Sequence, residues 1–214
     1  VREGNTDVWE YSVGTKLQRR TPVSRWTFEY GGYKNETDGS RIEDSHRFSL
    51  SADRFTGRRL YWRPVSAQYF RDKLQNIKHQ ATIDSGLGLH LVDTRRTQWD
   101  LQAGVGGNYL ENVSVEAGQQ NGEWSPVGTL GMDLEIEVTS WLDYELMINT
   151  WFLEEAAGKY QHHIVTVLST DLFGDLDLDI SLEWNRTEVP QAAEDGTVPE
   201  QDDFRFQVGL SYEF

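Results

Sequence analysis

The chain has 214 residues, with 20 Lys and Arg against 35 Asp and Glu, a formal net charge of −15 and a pI near 4.7. That excess of acid argues against a nucleic-acid partner held through its phosphates. The absence of Cys excludes a disulfide scaffold, thiol chemistry and Cys-ligated zinc. No run approaches the ~18 apolar residues that a membrane-spanning helix needs; the richest, around residues 146–153, is interrupted by Asn149 and Thr150. Val1 opens the sequence without an initiator Met or a basic or apolar leader, so any signal peptide is expected to have been removed or left out.

Alternation with a period of two recurs from the first residues onward. Residues 6–17 set Trp9, Tyr11, Val13 and Leu17 opposite Glu10, Ser12, Gly14 and Lys16. After a basic turn at 19–22, residues 24–33 set Trp26, Phe28 and Tyr30 against Arg25, Thr27 and Glu29. Residues 34–42 are polar and read as a loop turning at Asn35, Asp38 and Gly39. Residues 46–54 alternate again, and a short turn at 56–59 follows. Residues 61–69 form a noisier strand, where Pro64 implies a bulge or proximity to an edge.

Residues 78–92 place Ala81, Ile83, Leu87, Leu89 and Leu91 opposite Gln80, Thr82, Asp84, Gly86, Gly88 and His90. The turn at 93–96 leads into residues 99–109, with Trp99, Leu101, Ala103, Val105 and Tyr109 on one face. A polar loop at 111–123 precedes residues 127–138, where Leu130, Met132, Leu134, Ile136 and Val138 oppose Gly131, Asp133, Glu135 and Glu137. Residues 142–152 follow a tight turn. Residues 163–172 are apolar but of ambiguous parity. Residues 176–185 oppose Asp177, Asp179, Ser181 and Glu183 to Leu176, Leu178, Ile180, Leu182 and Trp184. Residues 187–203, rich in Pro, Gly, Ala and acid, read as a mobile external loop. The terminal FRFQVGLSYEF, residues 204–214, alternates without a break.

Eleven candidate strands result, with no helical segment. Short turns near residues 20, 57, 94, 140 and 174 alternate with longer polar loops near 37, 75, 116, 157 and 195, the asymmetry of an outer-membrane barrel. Aromatic residues gather toward strand ends at Trp26, Trp99, Tyr109, Trp124, Trp151, Trp184, Phe204 and Phe214, as an interfacial girdle would require. Trp99 to Tyr109 and Phe204 to Phe214 each span ten residues on one face, about 25 Å at ~3.3 Å per residue and a tilt of ~40°. The reading is one all-β domain over residues 1–214, an antiparallel up-and-down transmembrane β-barrel. An even count expects twelve strands, with the first lying before Val1 and residues 1–5 as its exit turn. Ten is the alternative.

Residues 86–97 (GLGLHLVDTRRT) with the strand 99–109 resemble the strand–"DTxRT"–strand hairpin of the salt-induced outer-membrane protein family. Residues 69–77 (YFRDKLQNI) resemble its "YERDRFQGL" external turn, and Gly4-Asn5-Thr6-Asp7 its "GNTD". The terminal Ser211-Tyr212-Glu213-Phe214 also fits. The resemblance implies a barrel of the Gram-negative outer membrane, a domain of unknown function that supplies no catalytic, cofactor or metal residues.

The chemistry concentrates on the inferred lumen face, where Asp133, Glu135, Glu137, Asp143, Glu145, Asp177 and Asp179 gather toward the short-turn ends of three late strands. A cluster of carboxylates in a narrow passage attracts cations. The bland reading is that Arg25, Arg47, Arg63, Arg95 and Arg96 pair with these acids across the lumen, because small barrels are commonly filled by side chains. The five His include no His–Ser pair two apart on one strand, so catalysis and a cofactor are not expected. Three functions follow as expectations: a narrow passive channel with weak cation preference, a side-chain-plugged structural or stress-related barrel acting through external loops, or a soluble barrel enclosing an apolar ligand. Expected partners of the first two are outer-membrane lipid, the barrel-assembly machinery through the C-terminal strand, and small solutes or ions.

Overall fold

The computed structural model describes residues 8–37, 40–115 and 121–212. Its eleven strands are β1 (Val8–Arg20), β2 (Ser24–Thr37), β3 (Ser40–Phe55), β4 (Leu60–Asp72), β5 (Ile77–Asp93), β6 (Thr97–Asn112), β7 (Glu123–Thr139), β8 (Leu142–Phe152), β9 (Tyr160–Phe173), β10 (Leu176–Thr187) and β11 (Asp202–Tyr212). They form one sheet in sequence order, every neighbouring pair antiparallel. A single turn of 3-10 helix, Glu155–Ala157, sits in the connection after β8. The sheet curls into an open barrel, far enough that the Arg205 guanidinium on β11 lies over the Tyr33 ring of β2, 4.2 Å from its centroid.

The period-two pattern dictates which wall is which. On β11, Phe204, Phe206, Val208, Leu210 and Tyr212 are all exposed on the outer face. Trp9, Tyr11, Val13 and Leu17 do the same on β1. The buried residues are mostly polar or charged: Arg25, Asp53, Thr82, His90, Asp100 and Asn108 among them. This is a soluble core turned inside out. It overturns the soluble-barrel alternative, which required the aromatic faces to point inward.

The two ends of the barrel differ as expected, with two adjustments. Short turns at 21–23, 56–59, 94–96, 140–141 and 174–175 close one end. Three are set by a threonine whose Oγ1 accepts a nearby backbone N–H: Thr21 from Ser24 at 3.0 Å, Thr94 from Thr97 at 3.0 Å and Thr139 from Trp141 at 3.3 Å. At the other end, residues 34–37 and 40–42 of the expected loop are strand, and Asp38 and Gly39 lie outside the described residues. β2 continues to Thr37 and β3 begins at Ser40. Ladder hydrogen bonds are indifferent to side-chain polarity, so the hairpin carries on where both faces have turned polar. The segment 73–76 is likewise a compact turn, with Asn76 at φ 60°.

Pro64 lies in a bulge, where the β4–β5 register slips between Arg63 and Ser66. β4 is an interior strand, so the edge reading falls and so does the ten-strand count. The strand of ambiguous parity, β9, is oriented by its neighbours: His163 stands opposite Asn185 and Asn149, and Ile164 opposite Trp184 and Ile148. His163 therefore faces the lumen and Ile164 the outside.

Glycine decides one close approach inside. Tyr61, fully buried, lies against Gly88, where an added Cβ would run into its ring. Gly88→Ala is expected to destabilise the barrel by about 1–3 kcal/mol through overpacking. Gly209→Ala, with nothing within 4 Å of the new Cβ, is expected to change stability by less than about 0.5 kcal/mol. Urea titration of both variants in detergent micelles tests this; equal midpoints would remove the packing role of Gly88.

Candidate functional site: a lumen filled by paired side chains

The inner wall is bridged at three heights. Near the short-turn end, the first residues of β2, β4 and β6 meet the last inward residues of β3 and β5. Arg25 reaches Asp53 at 2.8 Å and Asp100 at 2.7 Å, and Arg63 reaches the other oxygen of Asp53 at 2.6 Å. His90 Nδ1 sits 2.6 Å from Asp100 Oδ1. Tyr61 packs beneath both guanidinium groups, 5.2 Å from Arg25 and 5.8 Å from Arg63, and beside the His90 ring at 4.8 Å. Two arginines share two carboxylates, so the buried charge is balanced and each carboxylate oxygen has a donor. At the rim just outside, Arg20 pairs with Asp93 at 2.9 Å and donates to Gln98 at 3.0 Å.

Elsewhere on the inner face one cation crosses from wall to wall. Lys16 of β1 reaches Glu135 of β7 at 2.8 Å and Glu145 of β8 at 3.3 Å. Those two carboxylates stand directly opposite each other in the β7–β8 register. Like charges so placed repel, and the ammonium between them offsets the repulsion. Toward the long-loop end, Arg47 donates to Asn185 at 3.0 Å, His163 Nδ1 contacts the same amide oxygen at 2.8 Å, and Arg205 pairs with Glu183 at 3.1 Å. Gln80 donates to Gln161 at 2.8 Å across the lumen.

All seven expected acids lie on the inner face of β7, β8 and β10, but they do not behave alike. Glu135 and Glu145 are held by Lys16, and Glu137 by Arg96 at 3.7 Å. Glu137 opposes Asp143, and Asp177 opposes Asp171. Asp133 accepts from the Gln102 amide at 3.4 Å and has no ion pair among the described residues. One carboxylate oxygen of Asp179 is sealed from solvent without a donor.

Of the expected basic partners, only Arg96 reaches this cluster. Arg25 is taken by Asp53 of the adjacent β3 and by Asp100 of β6, and Arg63 by Asp53. Arg47 binds an amide, and Arg95 is exposed with no ion pair among the described residues. The lysine that does the bridging, Lys16, was legible only as a polar-face residue of the first strand. Asp53 could have been found: it is directly opposite Arg25 once β2 and β3 are paired on their polar faces. His90 and Asp100 face each other in the same way across the turn at 94–96.

The aromatic set needs one correction. Trp26, Trp124 and Phe204 are exposed on the outer face. Tyr109 packs against Trp124 and Trp184 stacks on Phe204 on that same face; Trp99 is also outward. Trp151 is buried and faces the lumen, where Arg47 lies 6.0 Å from its ring. Its parity follows Asn149 and not Phe152. Phe214 lies outside the described residues.

Replacing Asp53 with Asn leaves Arg25 and Arg63 without their shared counter-charge in a sealed site. The expected loss is about 3–5 kcal/mol. Glu137→Gln, at a solvated pair, should cost under about 1 kcal/mol. Urea midpoints in micelles separate the two; a small effect for Asp53→Asn would show the inner cluster to be water-filled.

Among curated proteins, none matches the chain significantly. Among solved structures, the chain is similar to one described as the NanC porin in a rhombohedral crystal form, with 9% sequence identity and a TM-score of 0.56. The likeness covers 98% of this chain and 97% of that one. At that identity it speaks for the fold: a porin-like β-barrel. The model of the family described as protein of unknown function, DUF481, matches residues 1–214, and the chain belongs to that family.

Proposed function

We propose that the chain is a bacterial outer-membrane barrel whose lumen is closed by its own paired side chains, and that it serves the envelope as a structural barrel through its long-loop end. The apolar outer wall supports a lipid environment, since strands with satisfied ladders and an oily exterior are one of the two ways of crossing a bilayer. The short turns then face the periplasm and the longer connections the outside. The C-terminal strand, with its unbroken outward row from Phe204 to Tyr212, is the segment offered to the barrel-assembly machinery. The observation that carries the closed-lumen reading is Lys16, joined to Glu135 and Glu145 across the lumen. The buried Arg25–Asp53–Arg63–Asp100 cluster adds a second set of contacts within the lumen.

A second reading, a narrow passage preferring cations, is favoured by the late strands. Their inner acids Glu137, Asp143, Asp177 and Asp179 outnumber the cations that reach them. A field of one sign in a tight, low-dielectric passage selects counter-ions.

Planar-bilayer recording tests both. The wild-type barrel is expected to be nearly silent. Lys16→Ala should raise conductance and make it cation-selective, because it removes the crossbar and leaves Glu135 and Glu145 unpaired. A steady, small, cation-selective wild-type current would favour the second reading. A large current like that of an open diffusion pore would overturn the closed-lumen proposal.

A further inference from the structure

At the short-turn end the outer wall is not purely apolar. Across the first four strands, arginines and tryptophans alternate on the outward face. Arg19 of β1 stands directly opposite Trp26 of β2. Arg54 of β3 stands opposite Ser24, two residues from Trp26 on the same face of β2, and opposite Trp62 of β4. Side chains directly opposite on one face have Cβ atoms ~4.5–5.5 Å apart, and diagonal neighbours lie within ~7–8 Å. Arg19, Trp26, Arg54 and Trp62 therefore form one continuous row, and all four are exposed.

The turn at 56–59 adds Arg58 and Arg59 at the rim of this row, both exposed. That turn is fixed on two sides: Phe55 N–H donates to Val23 O at 3.0 Å, and His90 N–H to Arg59 O at 2.7 Å. Backbone, and not acid, holds these cations in place. Neighbouring Arg20 and Arg96 are committed to Asp93 and Glu137. Among the described residues no carboxylate pairs with Arg19, Arg54, Arg58 or Arg59. The stretch 18–25 contains no acid, and 52–62 contains only Asp53, which is buried and held by Arg25 and Arg63.

The other flank of the same end has the reverse composition. Residues 137–145 and 169–179 hold seven carboxylates and no Lys or Arg. In a chain of net charge −15, unpaired cations sorted onto one flank mark a surface for an anion. Indole rings favour the boundary between acyl chains and headgroups, and a guanidinium matches the oxygens of a phosphate. A zwitterionic headgroup brings its own cation toward these arginines, whereas a net-negative one brings none, and a basic cluster at a membrane surface favours the latter.

We propose that the row Arg19, Trp26, Arg54 and Trp62, with Arg58 and Arg59 at its rim, binds phospholipid whose phosphodiester headgroup is net negative, in the leaflet on the short-turn side. The inference rests on the lipid-facing reading of the outer wall and is independent of whether the lumen conducts. The acids of β7 to β10 confine such lipid to one flank of the barrel.

The test is tryptophan quenching of the full chain in phosphatidylcholine vesicles that carry a minor share of either phosphatidylglycerol or phosphatidylcholine brominated high on the acyl chain. The fluorescence lost in Trp26→Phe/Trp62→Phe defines the signal of the row. For that signal, phosphatidylglycerol is expected to associate about fivefold or more strongly than phosphatidylcholine. Arg19→Gln with Arg54→Gln should reduce the preference to about twofold or less. Lys159→Gln, which removes an exposed cation from the connection after β8, should leave it unchanged. Salt of about 1 M, which shortens screening to ~3 Å, should bring the wild type to parity, a reading that needs no variant. Quenching by both lipids without preference would overturn this inference and leave the lipid-facing wall standing, and so would a preference that survives in the arginine variant or is lost equally in Lys159→Gln. Absence of lipid preference together with co-sedimentation on purified peptidoglycan would give the arginines to the wall polymer instead. No quenching by either brominated lipid would overturn the lipid-facing wall and this inference together.

Discussion

The constraint on which this molecule depends is that charges placed inside a barrel must find partners inside it. With an apolar outer wall, the inner face takes nearly all of the polar side chains that the strands carry. Removing an ion from water costs several kcal/mol unless it is paired and its remaining hydrogen-bonding capacity is met. The Arg25–Asp53–Arg63–Asp100 cluster meets that condition by sharing: each aspartate accepts from two donors, and Tyr61 covers the guanidinium faces. The same pairing that makes these groups tolerable also occupies the space through which a solute would pass. Charge satisfaction and the contacts that span the inner face are one set of interactions here.

The two walls are unequal. Arginines and a lysine on β1 to β4 face carboxylates on β7, β8 and β10, and the register sets several of those carboxylates directly against one another, as with Glu135 and Glu145 or Glu137 and Asp143. Such pairs repel. A fold that keeps them must supply a cation, and Lys16 supplies it from the far wall, so a side chain of β1 is held by strands more than a hundred residues away in sequence. That makes the Lys16 contact long-range. Toward the long connections, Arg47 lies over the Phe70 ring and donates to the Asn185 amide, and an apolar cluster gathers around Ile77. Charged contacts therefore gather toward the short turns and an apolar cluster toward the long connections.

What could be read from residues alone was local. The alternation of Phe204 to Tyr212 assigns a strand and its two faces because a period of two has only one geometric meaning. Pro64 marks its own bulge, because it cannot donate to a ladder. Trp151 misled as a strand-end aromatic, since its type fits a girdle, but its parity puts it in the lumen. The 34–42 stretch misled for the opposite reason: polarity resembles a loop, yet backbone pairing does not stop where the greasy face ends.

The sequence by itself determined the strands, the oily and polar wall of nearly all of them, the short turns of one end, and the positions of the late-strand acids. Each of those follows from neighbours within a few residues. Only the tertiary structure decided which cation meets which acid, and that Lys16 and not the arginines reaches Glu135 and Glu145. The reason is that facing across a barrel depends on its curvature and on the stagger of every intervening hairpin, quantities that accumulate over the whole sheet and are written in no single stretch of chain.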